Sequence, residues 1–348
     1  MGTRRCAPVP EGSVSSGRRG EDEMRAAWYT RNGKAREVLT VGDLPDPQPG
    51  PGEVRVRLAT SGVNPSDVKS RQSRPLGAER VVPHSDGAGT IDSVGSGVAA
   101  RIGERVWVWN GQWKRPMGTA AEFIVLPANQ AVPLPDTVDD GAAACLGIPA
   151  MTAFNAVRLL GDVDGKTVLV IGASSAVGHY AAQIAVLGGA RVLGTVGSAD
   201  KARHAARAGV DATIEYKREP VARRVKDLTG GRGVDAIVDM DFSSTAQLLS
   251  DDVLAPHGLL VSYGSNAHGD IPIPYRMLLF ASISLHFFLV YELSADARRA
   301  AVEGLSRMLK AGQLIHTIGG RWRLDEIAAA HEAVEDGKLT GNVVVDLA

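Results

Sequence analysis

The sequence predicts a two-domain α/β protein in which a doubly wound parallel sheet is joined to a small β-barrel. Residues 166–201 read as strand, glycine turn, helix and strand, which is one βαβ unit. Residues 36–118 contain short strands separated by Gly and Pro turns, which is typical of a barrel. After residue 196 helical and strand patterns continue to alternate, and 348 residues are enough to build two cores.

The βαβ unit is the best-defined stretch of the chain. Residues 167–171 form an apolar, β-branched run, as in a strand that is buried on both faces. Gly172 ends this strand, a helix containing Gly178 follows, and residues 190–196 form the next strand. Such a turn directs backbone N–H groups and the positive end of a helix to one point, and this arrangement suits a pyrophosphate.

The glycine turn leaves two other interpretations open. Gly172, Ser175 and Gly178 occupy the positions of a Gly-x-x-Gly-x-x-Gly pattern, from which Ser175 departs. Small residues that only pack a helix closely onto a sheet would give the same pattern. Ser174 also lies in a near-match to the Gly-x-Ser-x-Gly turn of hydrolases, a reading that requires a His and an acid in the same cleft.

The remaining elements follow from periodicity. Residues 1–23 are rich in Arg, Gly, Ser and Pro without an apolar period, so we expect a disordered extension. Residues 25–29 and 53–58 are predicted strands, and residues 139–159 form an interrupted helix that links the domains. Further predicted helices are 201–208, 221–228, 244–254, 295–309 and 324–335, and further strands are 212–216, 235–239, 258–263, 283–289 and 343–347.

Composition excludes several classes of protein. A net charge of -1 does not favour nucleic acid or an anionic membrane surface. The two cysteines, Cys6 and Cys145, exclude a disulfide framework, and Cys145 lies in an Ala-rich stretch that predicts burial. The longest apolar run, residues 277–291, is too interrupted to span a membrane, so we expect it in the core. We therefore expect a cytoplasmic protein.

The residues at the end of the second strand of the βαβ unit indicate which nicotinamide cofactor the chain prefers. An NAD-selective site places Asp or Glu there to hold the ribose 2′-OH, whereas residues 194–198 contain no acid. Ser198 and Lys201 follow on the first turn of a helix, where they could bind a 2′-phosphate. This favours NADPH; the alternative is that Lys201 is an ordinary solvated residue.

Two other sets of residues were candidates for chemistry. None of the eight histidines pairs with another at the spacing of a helical zinc site, so we expect no bound metal. His84, beside Asp86, is the best remaining metal candidate, although a surface-turn histidine is favoured. Asn64 and Asp67 follow a predicted strand and are either an Asx turn with a helix cap or functional residues.

Together these motifs resemble the medium-chain dehydrogenase/reductase superfamily, in its zinc-independent NADPH:quinone oxidoreductase branch, which includes zeta-crystallin. The resemblance covers residues 24–348 and rests on residues 51–54, 61–69, 83–89, 103–106, 150–153, 172–178, 194–201, 260–264 and 341–344. It implies a GroES-like catalytic domain at 24–148, a Rossmann NADP-binding domain at 149–290, and a C-terminal segment, 291–348, that completes the catalytic domain.

The resemblance also implies roles for individual residues. Those expected to bind NADPH are Asn64, Thr152, Ser175, Ala176, Val177, Gly178, Ser198, Lys201, Tyr216, Gly264, Ser265, Asn266, Phe287, Phe288 and Asn342. Asn64, Asp67 and Lys69 are the candidate catalytic residues. Asn64 is the first choice as a hydrogen-bond donor, Asp67 is expected to brace the loop, and Lys69 is a second donor if it points inward.

The chain departs from the family pattern at several positions. Asn64 and Ser85 stand where the zinc-dependent relatives have a metal-binding Cys and His. Ser175 and Ala176 replace two glycines, which leaves the N–H donors of the turn in place. Lys69 stands where some members have a Tyr that faces the substrate, so the acceptor pocket is expected to differ.

The implied activity is hydride transfer from NADPH to a quinone or a related electron-poor carbonyl compound, with the proton supplied by water. The alternatives are an enoyl-thioester or enone reductase of the same fold, or a non-catalytic NADPH-binding protein. Residues 283–289 read as a long apolar edge strand, which requires a cover. The family pairs such strands across a two-fold axis, so we expect a homodimer.

Overall fold

The computed structural model describes residues 22–267 and 269–347. The predicted disordered extension, residues 1–23, lies outside the described residues except for its last two positions. Glu23 already belongs to the strand Glu23–Trp28, one residue before the predicted start at Met24.

The described chain contains fifteen strands and eleven α-helices. The strands are β1 Glu23–Trp28, β2 Thr40–Pro45, β3 Glu53–Val63, β4 Asp86–Val94, β5 Arg105–Val108, β6 Phe123–Pro127, β7 Ala131–Pro133, β8 Thr167–Val170, β9 Arg191–Val196, β10 Ala212–Glu215, β11 Val234–Asp239, β12 Leu254–Ser262, β13 Ser284–Phe287, β14 Ile318–Arg323 and β15 Asn342–Asp346. The helices are α1 Ala35–Val38, α2 Pro65–Ser73, α3 Asp140–Ala143, α4 Met151–Leu159, α5 Ala176–Leu187, α6 Ala199–Arg207, α7 Val221–Leu228, α8 Phe242–Ser250, α9 Tyr275–Phe280, α10 Ala295–Lys310 and α11 Ile327–Asp336.

The predicted doubly wound sheet is confirmed. Its strand order is β10-β9-β8-β11-β12-β13, and each neighbouring pair is parallel. The chain enters at the centre with β8, moves to one edge through β9 and β10, and returns to β11. Ligands of such sheets bind beyond the carboxyl ends of the strands where the order reverses, which is here between β8 and β11. All residues of β8 are buried, as its apolar run predicts.

The second sheet contains the barrel strands. Its order is β14-β15-β3-β4-β5-β7, with β6 also paired to β3, and a separate β1–β2 pair adjoins it. Residues 53–58 of β3 alternate between buried and less buried positions, which confirms the half-exposed strand predicted from their pattern. The buried face of this sheet forms a core of its own with residues of α11, among them Ile327 and Ala330.

The C-terminal segment returns to the barrel. β15 pairs antiparallel with β3, and the register places Val343 opposite Val63. Asn342 and Asn64 are the next residues beyond this pair, so the return brings two candidate site residues to the same end of the sheet. α10 instead packs against α4, and its buried residues Ala301 and Leu305 join the larger core beneath the parallel sheet.

Several predicted boundaries were wrong. The helix predicted at 244–254 ends at Ser250, and Leu254 begins β12 because a buried apolar residue satisfies a sheet as well as a helix. By contrast, the interruption predicted for the helix at 139–159 is confirmed: it consists of α3, a π-helical turn at Leu146–Ala150 and α4, and Pro149 lacks the N–H that a continuous helix needs. The sequence reading also missed β2, β14 and α9.

The apolar run at residues 277–291 was expected in the core, but only Leu278, Val290 and Tyr291 of it are buried. β13 forms one edge of the parallel sheet, and its Phe287 is 60% exposed. Phe280 at the end of α9 is 78% exposed. We call Tyr275, Leu279, Phe280, Phe287 and Leu289 the apolar edge, since all five are large, apolar or aromatic, and exposed. No helix in the described part of the chain is long and apolar enough to cross a membrane.

Candidate active site in the cleft between the two sheets

A cleft of ≈ 260 Å³ lies between the barrel and the carboxyl end of the parallel sheet. Both domains and the C-terminal segment contribute to its walls. Six predicted site residues line it: Asn64, Ser175, Ala176, Lys201, Tyr216 and Asn342. Gly172, Met240 and Gly337 also line it and were not among the predicted site residues. The cleft therefore brings together residues that are far apart in the sequence.

The turn after β8 is fixed by two glycines. Gly172 has φ 69°, in the left-handed region that favours glycine, and a Cβ there would meet the Met240 sulfur at 2.3 Å. A Cβ on Gly178 would lie 2.2 Å from the Gly172 carbonyl oxygen, so α5 begins in close contact with the turn. Because the turn and the start of α5 lie so close together, the backbone between them forms a concave surface of the kind that binds a diphosphate.

Ser175 changes how this turn can be used. Its hydroxyl accepts a hydrogen bond from the Gly178 N–H at 3.0 Å, so Ser175 is the N-cap of α5. The sequence reading expected all N–H donors of the turn to remain available, and the structure corrects this because the Gly178 donor is already used. The first-turn N–H groups of Ala176 and Val177 have no partner within the helix and can meet a ligand.

The end of β9 carries the residues predicted to select the cofactor. Ser198 is the N-cap of α6 and accepts a hydrogen bond from the Lys201 N–H at 3.4 Å. The Lys201 ammonium donates to the Gly337 carbonyl at 3.0 Å, across the cleft in the C-terminal segment. Tyr216 is half exposed beside Gly197, and the nearby carboxylate of Asp200 is paired with Arg203. A cation and two hydroxyl groups thus surround the end of β9.

On the barrel side, Asn64 is held by two acids. The Asn64 backbone N–H donates to Asp67 at 2.8 Å, and its side-chain Nδ2 donates to Asp86 at 2.9 Å. The Asp67 backbone N–H in turn donates to the Asn64 backbone carbonyl at 3.0 Å, so the two residues are tied together at the start of α2. Asp67 therefore contacts the backbone at the start of this loop, and Asp86 is a partner of Asn64 that the sequence did not predict.

Burial dominates the electrostatics of this pair of acids. Loss of water raises the pKa of the Asp67 carboxyl to about 7 and raises that of Asp86 well above its ordinary range. Hydrogen bonds from Asn64 oppose both shifts without cancelling them. A backbone hydrogen bond from Ile148 to Asp86 also opposes the shift of its pKa and is likewise outweighed by burial.

Lys69 connects the two domains. Its ammonium donates to the Ser265 carbonyl at 3.3 Å and to Asn266 Oδ1 at 3.1 Å. Asn266 also donates to Asp241 through its backbone N–H and its Nδ2, both at 2.9 Å. Lys69, a candidate catalytic residue, thus contacts the candidate cofactor residues Ser265 and Asn266. Asp241, which binds Asn266, was not predicted from the sequence.

The other predicted site residues do not line the cleft. Val177 and Gly178 lie in the first turn of α5, and Thr152 is buried in α4. The Gly264 carbonyl accepts the Phe242 N–H at 2.9 Å. Phe287, on the apolar edge, packs edge-on against Phe242 with ring centroids 5.0 Å apart. Phe288 packs against Tyr263 with ring centroids 6.2 Å apart.

His84 was expected to be a surface-turn residue, and this was wrong. It is fully buried, its Nδ1 lies 2.8 Å from the Ser61 hydroxyl, and its Nε2 lies 2.9 Å from His331 Nε2. Burial lowers the pKa of His84 to about 3, so the ring is neutral. No group of three or more His, Cys, Asp or Glu side chains that could hold a metal ion occurs in residues 22–267 and 269–347.

The hydrolase interpretation loses its support. Within the described residues, the Ser174 hydroxyl makes no hydrogen bond to a histidine or an acid. The triad that activates a serine nucleophile is therefore not assembled at this turn. Cys145 is buried and unpaired, as predicted.

Comparison with known proteins agrees with this geometry. The model of the alcohol dehydrogenase GroES-like domain matches residues 50–136, and that of the zinc-binding dehydrogenase family matches residues 176–307. A quinone oxidoreductase of Pseudomonas aeruginosa is 34% identical over 316 residues, which cover 89% of this chain and 95% of the relative. A 2-haloacrylate reductase of a Burkholderia species is 30% identical over 311 residues, 85% of this chain and 91% of the relative.

Solved structures show the same architecture. A mycobacterial protein determined in complex with NADPH superposes with a TM-score of 0.82 at 30% identity, covering 93% of this chain and 100% of that chain. The fold, the glycine turn and the extent of these matches lead to one conclusion. The chain is an NAD(P)-dependent oxidoreductase that belongs to the quinone oxidoreductase branch of the medium-chain dehydrogenase/reductase superfamily.

Proposed function

We propose that the protein transfers a hydride from NADPH to a quinone or a related electron-poor carbonyl compound. The observation that carries the proposal is the composition of the cleft, where the glycine turn and Lys201 on one wall face Asn64 on the other. The similarity to a quinone oxidoreductase over most of both chains supports the same reaction class.

The turn after β8 fits a dinucleotide diphosphate, with Ser175, Ala176, Val177 and Gly178 around it. Lys201, Tyr216 and Ser198 would hold the adenosine ribose and its 2′-phosphate, since this end of β9 offers a cation and hydroxyl groups. This is the basis for preferring NADPH to NADH.

The nicotinamide end would lie where the barrel meets the parallel sheet. Its proposed surroundings are Asn64, Thr152, Gly264, Ser265, Asn266, Phe287, Phe288 and Asn342. When bound there, NADPH supplies the hydride. Lys69 holds Ser265 and Asn266 in place through its two hydrogen bonds, which limits the freedom of this loop.

Asn64 is the proposed donor to the acceptor oxygen. Its amide donates to Asp86, and both its backbone N–H and its side chain are hydrogen-bonded to Asp67, so the amide is held in one orientation at the cleft wall. A donor held in place before reaction stabilises developing negative charge without reorganising. Asp67 and Asp86 then act by positioning Asn64, and the product oxygen takes its proton from water.

The direct test is oxidation of NADPH and NADH, followed by absorbance, with 1,4-naphthoquinone as the acceptor. We expect turnover with NADPH and a higher KM for NADH. A titration of NADPH in the absence of acceptor measures binding separately. Binding without turnover of any quinone or enone would identify a non-catalytic dinucleotide-binding protein and contradict the proposal.

A second candidate reaction is reduction of a conjugated carbon–carbon double bond, as in enones and enoyl-thioesters. The similarity to a 2-haloacrylate reductase favours it. Parallel assays with quinones, enones and an enoyl-thioester separate the two reactions. A preference for the enone or thioester would replace the quinone as the proposed acceptor.

We also propose a homodimer formed through residues 283–289. The unpaired edge of β13 and the exposed side chains Phe287 and Leu289 form a surface that would pair with a second copy. Sedimentation velocity at micromolar concentration should give about twice the monomer mass. A single monomeric species would contradict this assembly.

A further inference from the structure

The cleft contains a methionine to which the proposed function assigns no role. Met240 directly follows β11, at the carboxyl end of the parallel sheet where the strand order reverses, and it lines the cleft. It is the most exposed methionine in the described part of the chain, at 37%, whereas Met24 and Met151 are fully buried. A thioether is thus accessible at the place where a cofactor is proposed to bind.

The sulfur of Met240 lies against the glycine turn. A Cβ built on Gly172 would come within 2.3 Å of this sulfur, so the thioether occupies space that only a glycine leaves open. The Met240 backbone is also in close contact, because a Cβ on Gly264 would lie 2.6 Å from its carbonyl oxygen. Any group added to the sulfur therefore enters a region in which the turn is already close.

The other sulfur atoms of the described chain are less suited to react in the cleft. Cys145 is only 2% exposed, and burial raises the pKa of its thiol well above the ordinary range, so it is not a reactive thiolate. Met277 and Met308 are partly buried and do not line the cleft. An oxidant that enters the cleft therefore meets a thioether rather than a thiol.

We propose that Met240 is a site of oxidation by hydroperoxides and that its oxidation weakens dinucleotide binding. The sulfur takes one oxygen atom from the peroxide as the O–O bond breaks, and the products are methionine sulfoxide and water, or an alcohol from an organic peroxide. The sulfur is oxidised and the peroxide is reduced by the same electron pair. Methionine sulfoxide reductases reverse the modification.

The sulfoxide would oppose the cofactor for two reasons. Its oxygen needs space beside Gly172, where the thioether already lies close to the turn. The same oxygen carries partial negative charge, which is unfavourable next to a diphosphate. The inference rests on the proposed position of the dinucleotide at this turn, and a bound dinucleotide should in turn shield the sulfur from peroxide.

The test compares the Kd of NADPH for the full-length protein before and after treatment with hydrogen peroxide. Dithiothreitol, added after the peroxide, reverses disulfide and sulfenic acid formation and leaves the sulfoxide in place. We expect the Kd to rise about fivefold. Saturating NADPH during the treatment should prevent this rise. Peptide mass spectrometry reports the oxidation of each methionine, and methionine sulfoxide reductases should restore the affinity.

Three variants assign the effect to Met240. Met240→Leu has no sulfur at this position, so its Kd should be the same before and after treatment. Met308→Leu is the matched control, since Met308 lines a different cavity, and treatment should still raise its Kd about fivefold. Met240→Gln introduces a polar oxygen without any peroxide, and we expect it to bind NADPH about threefold more weakly than Met240→Leu.

The outcomes separate this inference from the proposed function. An equal loss of affinity in Met240→Leu, or no loss in the original sequence after Met240 has become the sulfoxide, would overturn the inference and leave the proposed reaction intact. A Met240 that peroxide does not oxidise would also overturn it. If the untreated protein does not bind NADPH, the proposed function is wrong, and mass spectrometry alone then decides whether Met240 is a site of oxidation.

Discussion

The cleft has one wall from the parallel sheet and one from the barrel, and different constraints shape them. On the first wall the backbone determines the shape, because the contact between Gly172 and Gly178 leaves no space for a Cβ. On the second wall buried side chains determine it, because Asp67 and Asp86 hold Asn64. Substitutions should therefore act sterically on the first wall and through hydrogen bonds and charge on the second.

The largest effect is expected for Gly178→Ala, on the backbone wall. Its Cβ would lie 2.2 Å from the Gly172 carbonyl oxygen, so the turn and α5 must separate. We expect a loss of about 3 kcal/mol in the free energy of unfolding, together with weaker NADPH binding. Urea denaturation and an NADPH titration measure the two effects. Gly269→Ala, where a Cβ meets nothing within 4 Å, is the control and should be nearly neutral.

Asn64→Ala tests the side-chain wall. It removes the proposed donor and the bond to Asp86, so we expect kcat/KM to fall roughly thirtyfold. It also leaves the buried Asp86 carboxyl without its side-chain partner, at a cost of about 1 kcal/mol in stability. Asn64→Ser keeps a polar side chain at this position and loses the amide, and should therefore recover part of the stability but not the activity. Full activity of Asn64→Ser would exclude the amide as the donor.

Asp67→Asn tests the role of charge on the barrel wall of the cleft. The pKa of the Asp67 carboxyl is about 7 in the folded protein, above its ordinary value of 3.8. The unfolded chain therefore loses this proton at a lower pH than the folded protein does. As a result, Asp67 lowers the free energy of unfolding as pH rises from about 4 to 7. The amide can still accept the Asn64 N–H but cannot ionise. We expect it to stabilise the protein at pH 8 by on the order of 2 kcal/mol and to have little effect at pH 4.5.

The check is urea denaturation of the Asp67→Asn variant at both pH values. Asp227→Asn, at an exposed position on α7, is the control and should give no difference between them. A stability gain for Asp67→Asn that is equal at both pH values would show that charge is not the cause.

Lys201→Ala is expected to have a smaller effect, confined to cofactor choice. It removes the cation proposed to bind the 2′-phosphate and the bond to Gly337. We expect the KM for NADPH to rise about tenfold and that for NADH to change much less. Steady-state kinetics with both reduced cofactors measure this. Equal increases would remove Lys201 from the phosphate site.

The smallest effect is expected for Ser175→Gly, which restores the family's glycine. The Gly178 N–H would lose its cap and become available to the diphosphate, so NADPH affinity should rise about threefold. Replacing an N-cap serine with glycine costs only a few tenths of a kcal/mol in stability. A fall in affinity would mean that the Ser175 hydroxyl itself contacts the ligand.

The same contrast between the walls explains what the sequence could predict. The spacing of Gly172 and Gly178 revealed the turn, because a close backbone approach leaves a local pattern. The bond between Asn64 and Asp86 was not foreseen, because the two lie on different elements and only the barrel pairing brings them together. For the same reason the burial of His84 beside His331 left no sequence signal.

Exposure was also hard to predict. The run at residues 277–291 is as apolar as a buried core. Composition alone does not distinguish a buried segment from an exposed apolar surface. Conversely, β8, β9, β10 and β11 were predicted well because each is a short apolar run bounded by turn residues.

Lys69 and Lys201 belong to opposite walls, and each donates a hydrogen bond to the other side. The two lysines thus connect the walls at two separate places along the cleft. If one set of hydrogen bonds broke, the other would still join the two walls. Separation of the two walls would break both sets of hydrogen bonds, so both lysines stabilise the present width of the cleft.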